Sequence, residues 1–70
     1  MNDDIIKGKW HEIKGHIKQK WSKLTDDDLG QVQGSYEELE GLLQKRYGYE
    51  KDIAKKNIND FIKDNKLDKH

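Results

Sequence analysis

The stretch TDDDLGQVQGSYEELEGLLQKRYG, residues 25–48, decides how this chain folds. Leu29, Val32, Tyr36, Leu39 and Leu43 follow one another at steps of three, four, three and four, and Tyr47 closes the series. That spacing is one face of an α-helix. The stripe runs on through Gly34, so a single helix over about 26–46 fits it. A break near Gly30 to Gly34 fits nearly as well, because two glycines in five residues weaken any helix. The start is better marked. The Thr25 hydroxyl can accept from the N–H groups of the next turn, Asp26, Asp27 and Asp28 put negative charge at the positive end of the helix dipole, and Asp28 sits where a capping box has its third partner. A calcium loop is excluded, since the alternating acidic positions and the distant glutamate are missing. Gly48 is placed to end the helix in a left-handed conformation.

Upstream, Ile6, Trp10, Ile13 and Ile17 stand at steps of four, three and four, with Trp21 and Leu24 extending the stripe, which predicts a helix over about 4–22. Downstream, Ala54, Ile58, Phe61 and Ile62 form the apolar face of a last helix over about 50–63, weakened by Asn57 and Asn59. The expected fold class is all-α: a small compact bundle of three to four helices in one domain over 1–66, followed by a flexible tail over 67–70. Its expected core is Ile6, Trp10, Ile13, Ile17, Trp21, Leu24, Leu29, Val32, Tyr36, Leu39, Leu43, Tyr47, Ala54, Ile58 and Phe61.

Seventy residues support only a modest core, and with 31% hydrophobic and 40% charged residues the chain sits near the border of disorder. There is no cysteine, hence no disulfide framework or thiolate chemistry. No apolar run approaches a membrane span, and the polar start MNDDIIKGKW lacks the apolar centre of a signal peptide, so a cytoplasmic protein is expected. The formal net charge is zero but unevenly spread. Residues 1–23 hold six lysines against three acids, 24–44 hold six acids and no lysine or arginine, and 45–70 hold eight basic against five acidic residues. In a helical protein such alternation is explained by attraction between neighbouring segments; the sharper alternative is a basic surface for an anionic partner.

The chain also echoes itself. An offset of 26 pairs Gly8 with Gly34, Trp10 with Tyr36, Glu12 with Glu38, Ile13 with Leu39, Gly15 with Gly41, Ile17 with Leu43, Lys20 with Arg46 and Trp21 with Tyr47. The chain looks like two copies of one helical unit, and a pseudo-symmetric bundle with its two long helices packed together is the expected product. At about 100° per residue, Gly8 and Gly15 fall nearly opposite the Trp10 stripe, and Gly34 and Gly41 nearly opposite the Tyr36 stripe. These glycines either serve a second contact with an approaching backbone or keep the helices intrinsically weak. Gly8, Gly15, Gly34 and Gly41 are therefore the candidate interaction faces.

The runs KGKWHEIKGHIKQKW, KLTDDDL and GLLQKRYGYEKDIAKKNINDF resemble the CsbD-like family of small bacterial general-stress proteins over about residues 5–63. Members carry runs close to KGKWKEIKGKIKEKWGKLTDDDL and GKLQERYGYSKEEAEKEVDDF. The resemblance implies an all-helical, cytoplasmic, stress-induced protein without an established molecular activity and without a catalytic motif to transfer. His11 and His16 stand where lysines are common, Leu42 replaces a polar residue, and Glu50 takes the place of a capping serine, which moves the expected start of the last helix by a residue or two.

An enzyme needs convergent reactive groups in a pocket, for which so small a domain has little room. His11 and His16, five apart, lie about 140° apart around a helix and cannot jointly ligate a metal from it. No catalytic residue, metal ligand or cofactor is expected. The favoured reading is a non-catalytic stress-response protein, a protective or protein-interaction module, monomeric, with an unknown protein partner. The alternative is weak nucleic-acid binding by the lysine-rich first helix, with Lys7, Lys14 and Lys18 in a row and Trp10 or Trp21 stacking on bases where exposed. Interfacial membrane binding by that helix would need the apolar stripe that the core requires.

Overall fold

The computed structural model describes residues 2–67, with side chains from Asp4 onward. The described residues form five helices: α1 (Asn2–Gly8), α2 (Trp10–Lys20), α3 (Asp26–Val32), α4 (Tyr36–Tyr47) and α5 (Lys51–Asp64). The all-α class is as the stripes predict, but each of the two long helices is divided, giving five elements where three or four were expected.

The division of the first is slight. Lys9, with φ −117° and ψ 24°, leaves helical geometry, yet its N–H still donates to the Ile5 carbonyl (3.0 Å) and its own carbonyl still accepts from Ile13 (2.9 Å). The division of the second is a turn. Gln33 and Gly34 both have positive φ, 49° and 84°, and α4 starts afresh from Ser35, whose hydroxyl accepts from the Glu38 N–H at 3.3 Å. The reading with a break near Gly34 is thus the one the chain adopts. At the start of α3 the Thr25 cap is complete: the Thr25 hydroxyl accepts from Asp28 N–H (3.1 Å) and the Asp28 carboxylate accepts from Thr25 N–H (3.2 Å). Gly48 ends α4 at φ 70° as expected.

Helix α4 is the hub, packed against α5, α3 and α1. The expected side-by-side contact of the two long helices is made chiefly through α1, while α2 buries Ile13 and Ile17 in the shared core. The core takes Ile6, Ile13, Ile17, Trp21, Leu24, Leu29, Val32, Leu39, Leu43, Ala54, Ile58 and Phe61 as expected, and adds Ile62 and Leu67. Trp10, Tyr36 and Tyr47 were expected inside and are only half-buried, packed on the core's edge. All three stand at a helix end, Trp10 and Tyr36 as the first residues of α2 and α4 and Tyr47 as the last of α4, and the hydroxyls of Tyr36 and Tyr47 reach polar partners at the surface.

Leu67, assigned to the tail from sequence, is 3% exposed. Lys66 turns left-handed at φ 55°, and the Leu67 N–H then donates back to the Ile62 carbonyl at 2.9 Å. This six-to-one bond is the Schellman way of ending a helix, and it folds the next apolar residue onto the core. The remaining tail, 68–70, lies outside the described residues.

Candidate functional site

Of the four candidate glycines, three are open. A Cβ added at Gly8, Gly15 or Gly41 would meet nothing within 4 Å. They lie on helices facing away from the core, as the helical wheel predicts, and each weakens its helix without serving a contact within the chain.

Gly34 is different, and its placement on an outward face is corrected by the structure. It is buried at the turn, where a Cβ would lie 3.1 Å from the Lys7 Cα and 3.4 Å from the Trp10 Cβ. The wheel argument failed because it assumed a helix running through position 34. With Gln33 and Gly34 left-handed, the glycine is turned onto α1 and the start of α2, and the close approach it permits is internal.

The lysine row is likewise divided by Lys9. Lys7 lies exposed in the last turn of α1; Lys14 and Lys18 lie on α2. Lys18 donates to the Asp26 carboxylate at 2.7 Å. That hydrogen bond and charge, with the Lys14 charge behind them, hold the Asp26 carboxyl below its ordinary value. Trp21, one of the two candidate stacking platforms, is 2% exposed and packs against Phe61 with ring centroids 5.1 Å apart. It has no face left for a base.

The strongest polar junction joins α3 to α4. Arg46 Nη2 donates to Asp28 Oδ1 at 2.8 Å, while the other Asp28 oxygen caps Thr25. The Arg46 guanidinium first, and the Thr25 N–H second, hold the Asp28 carboxyl below its ordinary value, and the same pairing raises Arg46. Asp28 is 7% exposed, which a carboxylate tolerates because it is paired and hydrogen-bonded. The alternation of basic and acidic segments is therefore spent at least in part inside the molecule: a lysine of the first segment and an arginine of the third each hold an acid of the middle one.

Two further junctions hold the elements in register. The Tyr36 hydroxyl donates to Asn59 Oδ1 on α5 at 3.0 Å, and burial, with the Glu40 charge nearby, pushes its phenol up. The Lys23 N–H donates to the Tyr47 hydroxyl at 3.1 Å; the Tyr47 ring stacks on Tyr49 at 5.5 Å, with the Lys23 ammonium 5.2 Å from the ring centre. The helical stripes mark neither Asn59 as a partner of Tyr36 nor Glu40, 4% exposed on α4, as a buried residue. No local pattern marks Asn59, since Tyr36 reaches it from another helix.

An open groove of about 320 Å³ runs between α3 and α4. Gly41 and Leu42 form part of its wall, Glu37 and Glu38 give it an acidic rim, and Asp28 and Lys45 reach it. A second, smaller concavity is bordered by Gly34 with Lys7, Gln33 and Ser35. Among the described residues no group of three or more His, Cys, Asp or Glu side chains is placed to hold a metal ion, and no helix is long and apolar enough to cross a membrane.

This small helical body, built on a TDDD cap and a Trp-Ile stripe, matches the model of a known family. The CsbD-like family model fits residues 4–56, and the chain belongs to that family. It is 51% identical over 61 residues to a UPF0337 protein of Pseudomonas aeruginosa, covering 87% of this chain and 94% of the relative. It is also 51% identical over 61 residues to a UPF0337 protein of Protochlamydia amoebophila, covering 87% and 92%. With the UPF0337 protein YjbJ of Escherichia coli strain K12 the identity is 46% over 61 residues, covering 87% and 88%.

Proposed function

We propose that this chain is a non-catalytic, cytoplasmic stress-response protein that acts as a small protective module, keeping other macromolecules soluble through weak contacts of a charged surface. The observation that carries the reading is how completely so polar a chain closes its core. Among the described residues Ile53 is the one large apolar side chain left exposed, at 45%, although 40% of the sequence is charged. A surface of that kind stays hydrated and resists association, which a protectant at high concentration needs. The circumstance of stress comes from the family resemblance.

The test is direct: a labile enzyme is dried or heated in the presence of this protein or of an inert protein at equal mass. The reading expects more surviving activity with this protein, and equal survival contradicts it. A dedicated protein partner is the variant of the reading to be sought by capture from stressed cells, comparing the wild type with Gly41→Trp. That substitution fills the wall of the α3–α4 groove, and a partner docking there would be lost while one docking elsewhere would be kept.

A further inference from the structure

We infer that the Gln33–Gly34 turn is a hinge, and that two copies of this chain exchange halves through it: α3 and α4 join into one straight helix, and the segment α1–α3 of each copy packs on the α4–α5 segment of the other.

Three observations point the same way. The apolar stripe Leu29, Val32, Tyr36, Leu39, Leu43 keeps helical spacing across the turn, and the chain holds no proline, so nothing in the sequence of 33–35 forbids a helix there. The turn itself is costly. Gln33, an ordinary L-residue, is held at φ 49° and ψ 38°, the left-handed region that such residues avoid. And the turn is short, only Gln33, Gly34 and Ser35 between α3 and α4. A short strained connection between two packed halves is the common setting for exchange between copies.

The contacts that cross the hinge survive the exchange. Asp28 with Arg46, the Lys23 N–H with the Tyr47 hydroxyl, Trp21 with Phe61, and Lys9 Nζ with the Leu67 carbonyl each link one half to the other. In the exchanged pair every one re-forms between copies with the same partners. What changes is the turn: the Ser35 cap on Glu38 and the seat of Gly34 against Lys7 are given up, and residues 33–35 gain the backbone bonds of a continuous helix. The balance between one copy and two is thus set by three residues and by concentration.

The experiment refolds the wild type, Gly34→Ala and Gln33→Gly from denaturant at high protein concentration and reads molecular mass by light scattering across a dilution series. Alanine at 34 is strained at φ 84° and pressed on Lys7, but suits a straight helix. Glycine at 33 relaxes the turn and opposes the helix. The dimer should strengthen by about tenfold or more in Gly34→Ala and weaken by about tenfold or more in Gln33→Gly. A mixture independent of Gly34→Ala folding identifies which halves meet. Asp28→Lys and Arg46→Glu each place like charges opposite one another when alone, whereas refolded together they restore both ion pairs only between copies. A dimer of one copy of each variant in native mass spectrometry of that mixture, with neither variant alone forming a homodimer, is the expected result. Absence of the heterodimer, or equal dimer strength in Gln33→Gly and the wild type, overturns the inference.

Discussion

Gly8–Lys9–Trp10 and Gly34–Ser35–Tyr36 occupy equivalent places in the repeat, and the chain takes them in opposite ways. At the first, a helix bends and continues: Lys9 offers no side-chain cap, and the backbone bonds from Lys9 to Ile5 and from Ile13 to Lys9 stay intact. At the second, the helix ends: Gln33 and Gly34 go left-handed and Ser35 caps a new helix. Downstream the halves agree again, with Ile13 and Leu39, then Ile17 and Leu43, all fully buried. The repeat thus fixes what is buried, while one capping residue decides whether the chain reverses. A serine can satisfy an orphan N–H of a new helix start and a lysine cannot.

The largest expected effects lie in the two buried stripes. If the two stripes are equivalent, Ile13→Ala and Leu39→Ala should each cost about 2–5 kcal/mol in chemical denaturation, a large part of the stability of so small a domain. A marked difference between the two would mean that the halves are alike in pattern but not in load. Next comes the cap. Ser35→Ala should cost about 1 kcal/mol, and it should raise amide exchange at Glu38, the position whose N–H it leaves unbonded.

A subtler test uses pH, because Asp28 has no counterpart in the first half. Its carboxyl is held below the ordinary value of 3.8 by Arg46 and the Thr25 N–H. A group whose folded pKa is depressed contributes stability above its unfolded value and loses it as pH falls through the folded value. Wild-type stability should accordingly fall as pH drops below about 4, and Asp28→Asn should be less stable at neutral pH while losing part of that acid dependence. Thermal unfolding at a series of pH values reads both effects. The smallest expected change is a gain: Gly15→Ala and Gly41→Ala, equivalent in the repeat and both open, should each stabilise by up to about 1 kcal/mol.

Much of this architecture was legible in the sequence, and the exceptions share a cause. The stripes gave the core because burial follows helical spacing, and the Thr25 cap was readable because all its parts lie within four residues. The stripe does not report the break at 33–35, although the S-x-x-E pattern at Ser35–Glu38 is a local signal for it. Leu67 was missed because the left-handed residue before it is a lysine, not the glycine that usually announces such a helix end. The helical wheel places Gly8, Gly15 and Gly41 on outward faces as the structure does, and misplaces Gly34, whose close neighbours Lys7 and Trp10 come from α1 and α2. Local pattern reports which side of a helix a residue takes; it does not report a backbone that arrives from elsewhere.

One glycine pair of the repeat has split into two roles, and the pair Gly8→Ala and Gly34→Ala measures it. Thermal unfolding at low protein concentration, where the wild type and both variants are compared as single copies, should show the melting temperature rising in Gly8→Ala and falling in Gly34→Ala, because the first site is open helix and the second a left-handed seat on Lys7. Shifts of the same sign at both positions would contradict the account.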